Sequence, residues 1–242
     1  MASEEVGPGP AAAAAAAAAG TAASGGTAEP PKQLAGGYVQ GMTVLCAPLL
    51  FVMPEPDAFF CFQSLLTRHM PRYVAANLDG AHTGCTLVDR VLAVVDPVLF
   101  NYLESKFLTA SIYAFPLLMS LHACVPPLEE VLKLWDALFA FGVHLEVLVC
   151  VAQCILLREK LLQDPNPYHH LNVRYLPPLD ADTLVTAAFA LIPHIPADLL
   201  DDLARHPFAE EAPQQQQQQQ QQAPKHTYSY TPADEAPRAD PA

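Results

Sequence analysis

Pro126-Pro127-Leu128-Glu129-Glu130-Val131-Leu132-Lys133-Leu134-Trp135-Asp136, running on to Gly142, reads as one helix with its start and stop included. The proline pair precedes the first turn, and apolar residues then recur at three- and four-residue intervals over 128–140. Glu129 and Lys133 stand four apart and are expected to pair on one face. Gly142 follows the last apolar residue, where a left-handed residue ends helices.

The same pattern extends in both directions. Downstream it predicts a long helix over 144–162, a Pro- and Asn-rich loop over 164–179, and helices over 181–192 and 197–205. Upstream it predicts helices over 41–52, 58–69, 82–94, 97–104 and 110–123. Asp57 is the expected N-cap for 58–69, and Thr109 for 110–123. Asp96-Pro97 combines a capping side chain with proline at the first helical position. The segments 110–123 and 144–157 are apolar on most faces and must be covered on several sides. No heptad persists for three repeats, so a coiled coil is excluded. The fold class that follows is all-α: a layered, irregular multi-helix domain.

Composition sets the limits of that domain. The chain has 242 residues and a formal net charge of −13, which argues against a binder of nucleic-acid phosphates. Ala11 to Ala19 is an unbroken alanine run and Gln214 to Gln222 an unbroken glutamine run. Residues 1–35 and 209–242 therefore read as disordered low-complexity tails flanking a domain over 36–208. The tails carry −2 and −3, leaving −8 on the domain. Glu4 and Glu5 occupy the place of a positive signal-peptide region, so no secretory signal is expected. The most apolar stretch, Val143 to Leu157, contains His144, Glu146 and Gln153 and reads as a buried helix, not a membrane span.

Six cysteines lie in or beside apolar runs without a CxxC, as expected of reduced core thiols. Cys150 and Cys154 are one helical turn apart, but no His lies near them at a ligand spacing, so no metal site is expected. There is no phosphate loop, nucleophile elbow or zinc-protease motif.

The local sequence that could carry chemistry is Gly36-Gly37-Tyr38-Val39-Gln40-Gly41-Met42. Glycines flank a Gln just before an apolar helix. Such a loop can present a side-chain amide that donates and accepts together, a combination suited to positioning water. By residue types alone the plainer reading, a capped turn with an incidental Gln, is preferred.

Gly37-Tyr38-Val39-Gln40-Gly41-Met42, continuing through Val44-Leu45-Cys46-Ala47-Pro48-Leu49-Leu50, resembles the Gln-finger motif of TBC domains, all-helical GTPase-activating domains for Rab-like small GTPases. The resemblance continues at Ala58-Phe59-Phe60-Cys61-Phe62 and returns at Leu132-Lys133-Leu134-Trp135-Asp136. Gly142-Val143-His144-Leu145 and Arg205-His206-Pro207-Phe208 look like the mitotic-checkpoint branch in fungi, the activating half of a two-component complex at the spindle pole body. The resemblance implies that Gln40 is the catalytic Gln finger, with Tyr38, Gly41 and Met42 shaping its loop. It implies a Ras- or Rab-like GTPase partner, a scaffold subunit, and a cytoplasmic, spindle-associated location. It implies no cofactor of its own, since GTP and magnesium would belong to the GTPase. Trp135 and Asp136 would be structural family residues: a large core side chain and a polar anchor.

The departure from the family is upstream. The family's Arg finger lies in an Ile-x-x-Asp-x-x-Arg motif before the Gln motif. Residues 1–35 contain no arginine, and Lys32 lacks the planar fork to replace one. The expectation is a partial TBC domain carrying the Gln half of the site, truncated or mis-assembled at its N-terminal side. The helices near 41–52 and 58–69 should then show an exposed apolar patch. Two further readings stand beside the activator: a non-catalytic GTPase- or scaffold-binding module, and an interaction protein driven by its tails.

Among lesser candidates, Arg68 and Arg72 read as helix-end charges or a basic spot facing the GTPase, and Asp89 and Arg90 as a structural pair or an exposed face. Asp201 and Asp202 read as surface charges, and His169-His170 as a solvent-facing loop pair.

Overall fold

A computed structural model describes residues 38–75 and 77–208. The tail assignments, and the glycines at 36 and 37, lie outside the described residues. Twelve α-helices and no strand occur among the described residues. They are α1 (Met42–Val52), α2 (Glu55–Ser64), α3 (Asp79–Val95), α4 (Pro97–Ser105), α5 (Ala110–Tyr113) and α6 (Phe115–Ser120). Then follow α7 (Leu128–Phe141), α8 (Leu145–Leu156), α9 (Arg158–Gln163), α10 (Tyr168–Leu171), α11 (Ala181–Leu191) and α12 (Ala197–Arg205).

The core is built around α8. All residues from Leu145 to Cys154 are buried, including Glu146 and Gln153. A helix apolar on every side needs cover on every side, and α3, α6, α7, α9 and α11 all pack against it. No helix among the described residues is long and apolar enough to cross a membrane.

Helix ends follow local chemistry in several places. Asp96 caps α4 as expected, its Oδ1 accepting from the Leu99 N–H at 3.0 Å. Its other oxygen takes the Arg158 guanidinium at 2.6 Å, tying α4 to α9. Asp180 caps α11 through the Thr183 N–H at 3.0 Å. Gly142 ends α7 at φ 109, a torsion that an L side chain rarely adopts.

Other local expectations are corrected. Asp57 is not the cap of α2, because that helix begins at Glu55 behind Pro54. Thr109 sits at the N-cap of α5 without a side-chain hydrogen bond, and the Asp89 carboxylate accepts from the Ala110 N–H instead, at 3.0 Å. Asp89 therefore does not pair with Arg90, which reaches Asp202 of α12 at 2.7 Å. Lys133 pairs with Glu130 at 2.7 Å, not with Glu129. Glu130 also accepts from the Ala181 N–H at 2.9 Å, which makes it the carboxylate that joins α7 to α11.

The segment 110–123 is two short helices and a turn, with Leu121 (φ 48) and His122 (φ 57) both left-handed. The helix over 144–162 breaks at Leu157. Part of the 164–179 loop winds into α10, where His170 bonds Asp164 at 2.8 Å and His169 stacks on Tyr175 at 4.3 Å between ring centroids. The histidine pair is thus engaged, not merely solvent-facing. Cys85, Cys150 and Cys154 are core thiols, Cys46 is half-buried, and Cys61 and Cys124 are exposed. Burial pushes Cys85 and Cys154 up to about 12, so both remain neutral thiols.

The expected apolar patch is present. Leu50, Phe51 and Val52 of α1, and Phe59 and Phe60 of α2, are all exposed, with Phe51 at 66% and Phe60 at 65%. Phe59 and Phe60 meet edge to face with centroids 5.4 Å apart.

Candidate functional site at the head of the first helix

Gln40 stands in the turn immediately before α1, and its side chain is exposed. Gly41 makes that turn. It is the N-cap of α1 at φ 106, and its carbonyl accepts from the Val44 and Leu45 N–H groups at 3.0 and 3.2 Å. A left-handed residue directly after Gln40 bends the chain sharply, so the Gln projects from the helix start instead of lying along it. Met42 closes the turn from the other side. Its N–H donates to the Val39 carbonyl at 3.2 Å, and its sulfur accepts from the Val39 N–H at 3.4 Å. Tyr38 is exposed at 69%. Among the described residues the exposed Gln40 amide makes no hydrogen bond.

A groove of about 490 Å³ runs beside this turn, lined by Thr43, Val44, Ala47, Pro48 and Phe51 of α1 and by Ala123 and Leu128 across from it. Ala123 and Leu128 border the segment between α6 and α7. Trp135 governs that segment: it is buried, and its indole N–H donates to the Leu121 carbonyl at 2.8 Å. Trp135 is therefore the core residue that the sequence suggested, and it is tied to the left-handed turn two residues before Ala123. Asp136 is exposed on α7.

The arginines are placed elsewhere. The Arg72 guanidinium donates to the His206 carbonyl at 3.0 Å, and its backbone N–H donates to the Pro207 carbonyl at 3.2 Å. Arg90, Arg158 and Arg205 pair with Asp202, Asp96 and Asp201, in the last case at 2.7 Å. Arg68 and Arg174 are exposed. Asp201 and Asp202 are surface charges as read, each held by an arginine.

Sequence reading did not anticipate Ala123 and Leu128 as a wall facing α1, because they lie some 80 positions away from Thr43 and Val44 in the chain. Nor did it anticipate that His122, Glu146 and Cys150 converge in the core.

Comparison with known proteins bears on this site. The sequence model of the Rab-GTPase-TBC domain matches residues 34–162, a stretch containing the Gln40 turn, the groove and Trp135. Cell division control protein 16 of Schizosaccharomyces pombe is 45% identical over 176 residues, covering 72% of this chain and 58% of that protein. The putative mitotic check point protein BUB2 of Dictyostelium discoideum is 42% identical over 171 residues, covering 71% of this chain and 46% of its own length. Mitotic check point protein BUB2 of Saccharomyces cerevisiae is 41% identical over 170 residues, covering 70% of this chain and 55% of that protein. The chain thus spans about half the length of these relatives.

Proposed function

The chain belongs to the Rab-GTPase-TBC domain family, and from that premise we propose that it is a GTPase-activating module acting on a Ras- or Rab-like small GTPase through Gln40. The observation that carries the reading is the exposed Gln40 amide, without a hydrogen-bond partner among the described residues, directly before the left-handed Gly41 at the head of α1. An amide can accept from an attacking water while donating toward the phosphate, so it orients the nucleophile without exchanging a proton. The apolar groove between α1 and Ala123–Leu128 provides a surface against which a partner can register that amide. No covalent step falls to this chain. GTP and its magnesium are carried by the partner, and this chain needs no cofactor.

Phosphoryl transfer also calls for a cation at the developing charge, worth roughly 10³–10⁵ in rate when an arginine supplies it. In this reading the arginine is contributed from outside residues 38–208, and a scaffold subunit completes the assembly. The names of the relatives speak of cell division control and a mitotic check point, which supports a mitotic-checkpoint setting; we place the module in the cytoplasm at the spindle pole body as part of the same proposal. A second reading is a binding module without catalytic effect.

Single-turnover GTP hydrolysis by a candidate mitotic-exit GTPase, with the chain and its Gln40→Ala variant, separates the two. Stimulation that Gln40→Ala removes supports the activator. Binding to the GTP-bound partner without stimulation, unchanged in Gln40→Ala, supports the binding module.

A further inference from the structure

Three ionisable side chains meet in the driest part of the molecule. His122 comes from the left-handed turn after α6, and Glu146 and Cys150 stand one turn apart on α8. His122 and Glu146 are fully buried and Cys150 is 1% exposed. His122 Nδ1 lies 2.5 Å from Glu146 Oε1, while His122 Nε2 and Glu146 Oε2 have no hydrogen-bond partner. One donor atom from each of the three residues lies within 4.8 Å of the others. A fully buried carboxylate oxygen and imidazole nitrogen left without partners are costly, and a direct His–Glu contact relieves only half of that.

We propose that His122, Glu146 and Cys150 bind a divalent zinc ion that locks the turn between α6 and α7 onto α8. The donor set selects the metal: thiolate, imidazole and carboxylate together suit zinc, whereas calcium and magnesium take oxygen ligands. Charge balance fits the dry surroundings. A dication with one thiolate, one carboxylate and a neutral imidazole sums to zero, the state that a low-dielectric interior tolerates. On binding, the Cys150 Sγ–H proton and the proton shared between His122 and Glu146 leave to solvent, and the three lone pairs turn to the ion. Zinc bonds of about 2.0–2.3 Å hold donors roughly 3.3–3.8 Å apart, so His122 Nδ1 and Glu146 Oε1, now 2.5 Å apart, would part around the ion while the three donors stay within their present 4.8 Å. The ion would hold the turn that carries Leu121 and Ala123, and through it the wall of the groove beside Gln40. The proposal does not depend on the GTPase reading.

The test uses the full chain after dialysis against chelator, titrated with cobalt(II) and then zinc(II). One cobalt per chain, with a near-ultraviolet thiolate charge-transfer band displaced by one equivalent of zinc, is expected. Cys150→Ser and Glu146→Gln should weaken binding at least tenfold, and Cys150→Ser should erase the band while Cys154→Ser keeps it. X-ray absorption of the zinc-loaded wild-type chain should show one sulfur and the remaining scatterers nitrogen or oxygen, a result that stands even if a variant fails to fold. No charge-transfer band in the wild type, a band that survives Cys150→Ser, or a zinc shell without sulfur overturns the proposal.

Discussion

The Trp135 indole donates its N–H to the carbonyl of Leu121, 2.8 Å away, with both residues buried. Leu121 is left-handed at φ 48 and is followed by His122 at φ 57. Two consecutive non-glycine residues in that region are unfavourable alone and need a partner to hold them. Trp135→Phe keeps most of the ring volume but leaves the Leu121 carbonyl without its donor. We expect a loss of about 1–3 kcal/mol in urea unfolding, and a larger loss of about 3–5 kcal/mol for Trp135→Ala. A Trp135→Phe variant as stable as the wild type would show that the bond does not hold the turn.

Gly41 separates two kinds of constraint. A Cβ built there meets nothing within 4 Å, yet φ is 106. Gly41→Ala should therefore cost about 1–2 kcal/mol through torsion alone, together with loss of GTPase stimulation as the Gln40 turn reorients. Gln40→Ala should change stability by less than about 0.5 kcal/mol, since the side chain is exposed. Chemical denaturation of both variants, run beside the hydrolysis assay, checks the contrast.

His206 makes stability depend on pH. Its Nδ1–H donates to the Leu203 carbonyl at 2.7 Å, and its Nε2 accepts from the Tyr73 hydroxyl at 2.7 Å, so the ring is held in its neutral form. Burial pushes its pKa down to about 4, and nearby His144 and Arg72 add to the effect. The unfolded chain binds that proton near 6.5 and the folded chain only near 4. Stability is then full above about 6.5 and falls as pH drops toward 4, by on the order of 3 kcal/mol. His144, lowered by burial, adds a slope of the same sign. Unfolding curves between pH 4 and 7 should show this slope, and His206→Gln should flatten it. An unchanged slope in that variant would assign the pH dependence elsewhere.

The apolar face on α1 and α2 should show itself in solution. Phe51, Phe59 and Phe60 are each more than half exposed, and monomeric proteins rarely leave contiguous apolar area uncovered. Sedimentation velocity of the full chain should show concentration-dependent association. Phe51→Lys combined with Phe60→Lys should weaken it at least tenfold. A wild-type chain that stays monomeric across the concentration range would count against an adhesive face.

Much of the fold was legible because helix formation is written locally. The apolar spacing of Val131, Leu134, Trp135 and Leu138 marks the buried stripe of α7. Asp96-Pro97 and Gly142 act on backbone groups within one turn of themselves. The Gln40 turn belongs to the same class, since Gly41 needs no distant contact to bend the chain. Where two local options had similar merit, the reading went astray. Glu129 and Glu130 can both reach Lys133 along a helix, and the choice of Glu130 goes with its second bond, to Ala181. Asp89 had Arg90 beside it in sequence, but helical geometry turns adjacent residues apart, leaving Asp89 to cap α5 and Arg90 to reach α12.

By itself, the sequence determined an all-helical chain, the approximate span of most helices, and a Gln presented at a helix start. Those properties depend on spacing, torsion and capping within a few residues. Tertiary structure alone decided that Ala123 and Leu128 face α1 across a groove, that Arg72 is held by the His206 and Pro207 carbonyls, and that His122 meets Glu146 and Cys150. Each of these juxtapositions joins segments far apart in the chain. They arise because α8, apolar on all sides, gathers the other helices around it, and no local periodicity specifies which side chains then touch.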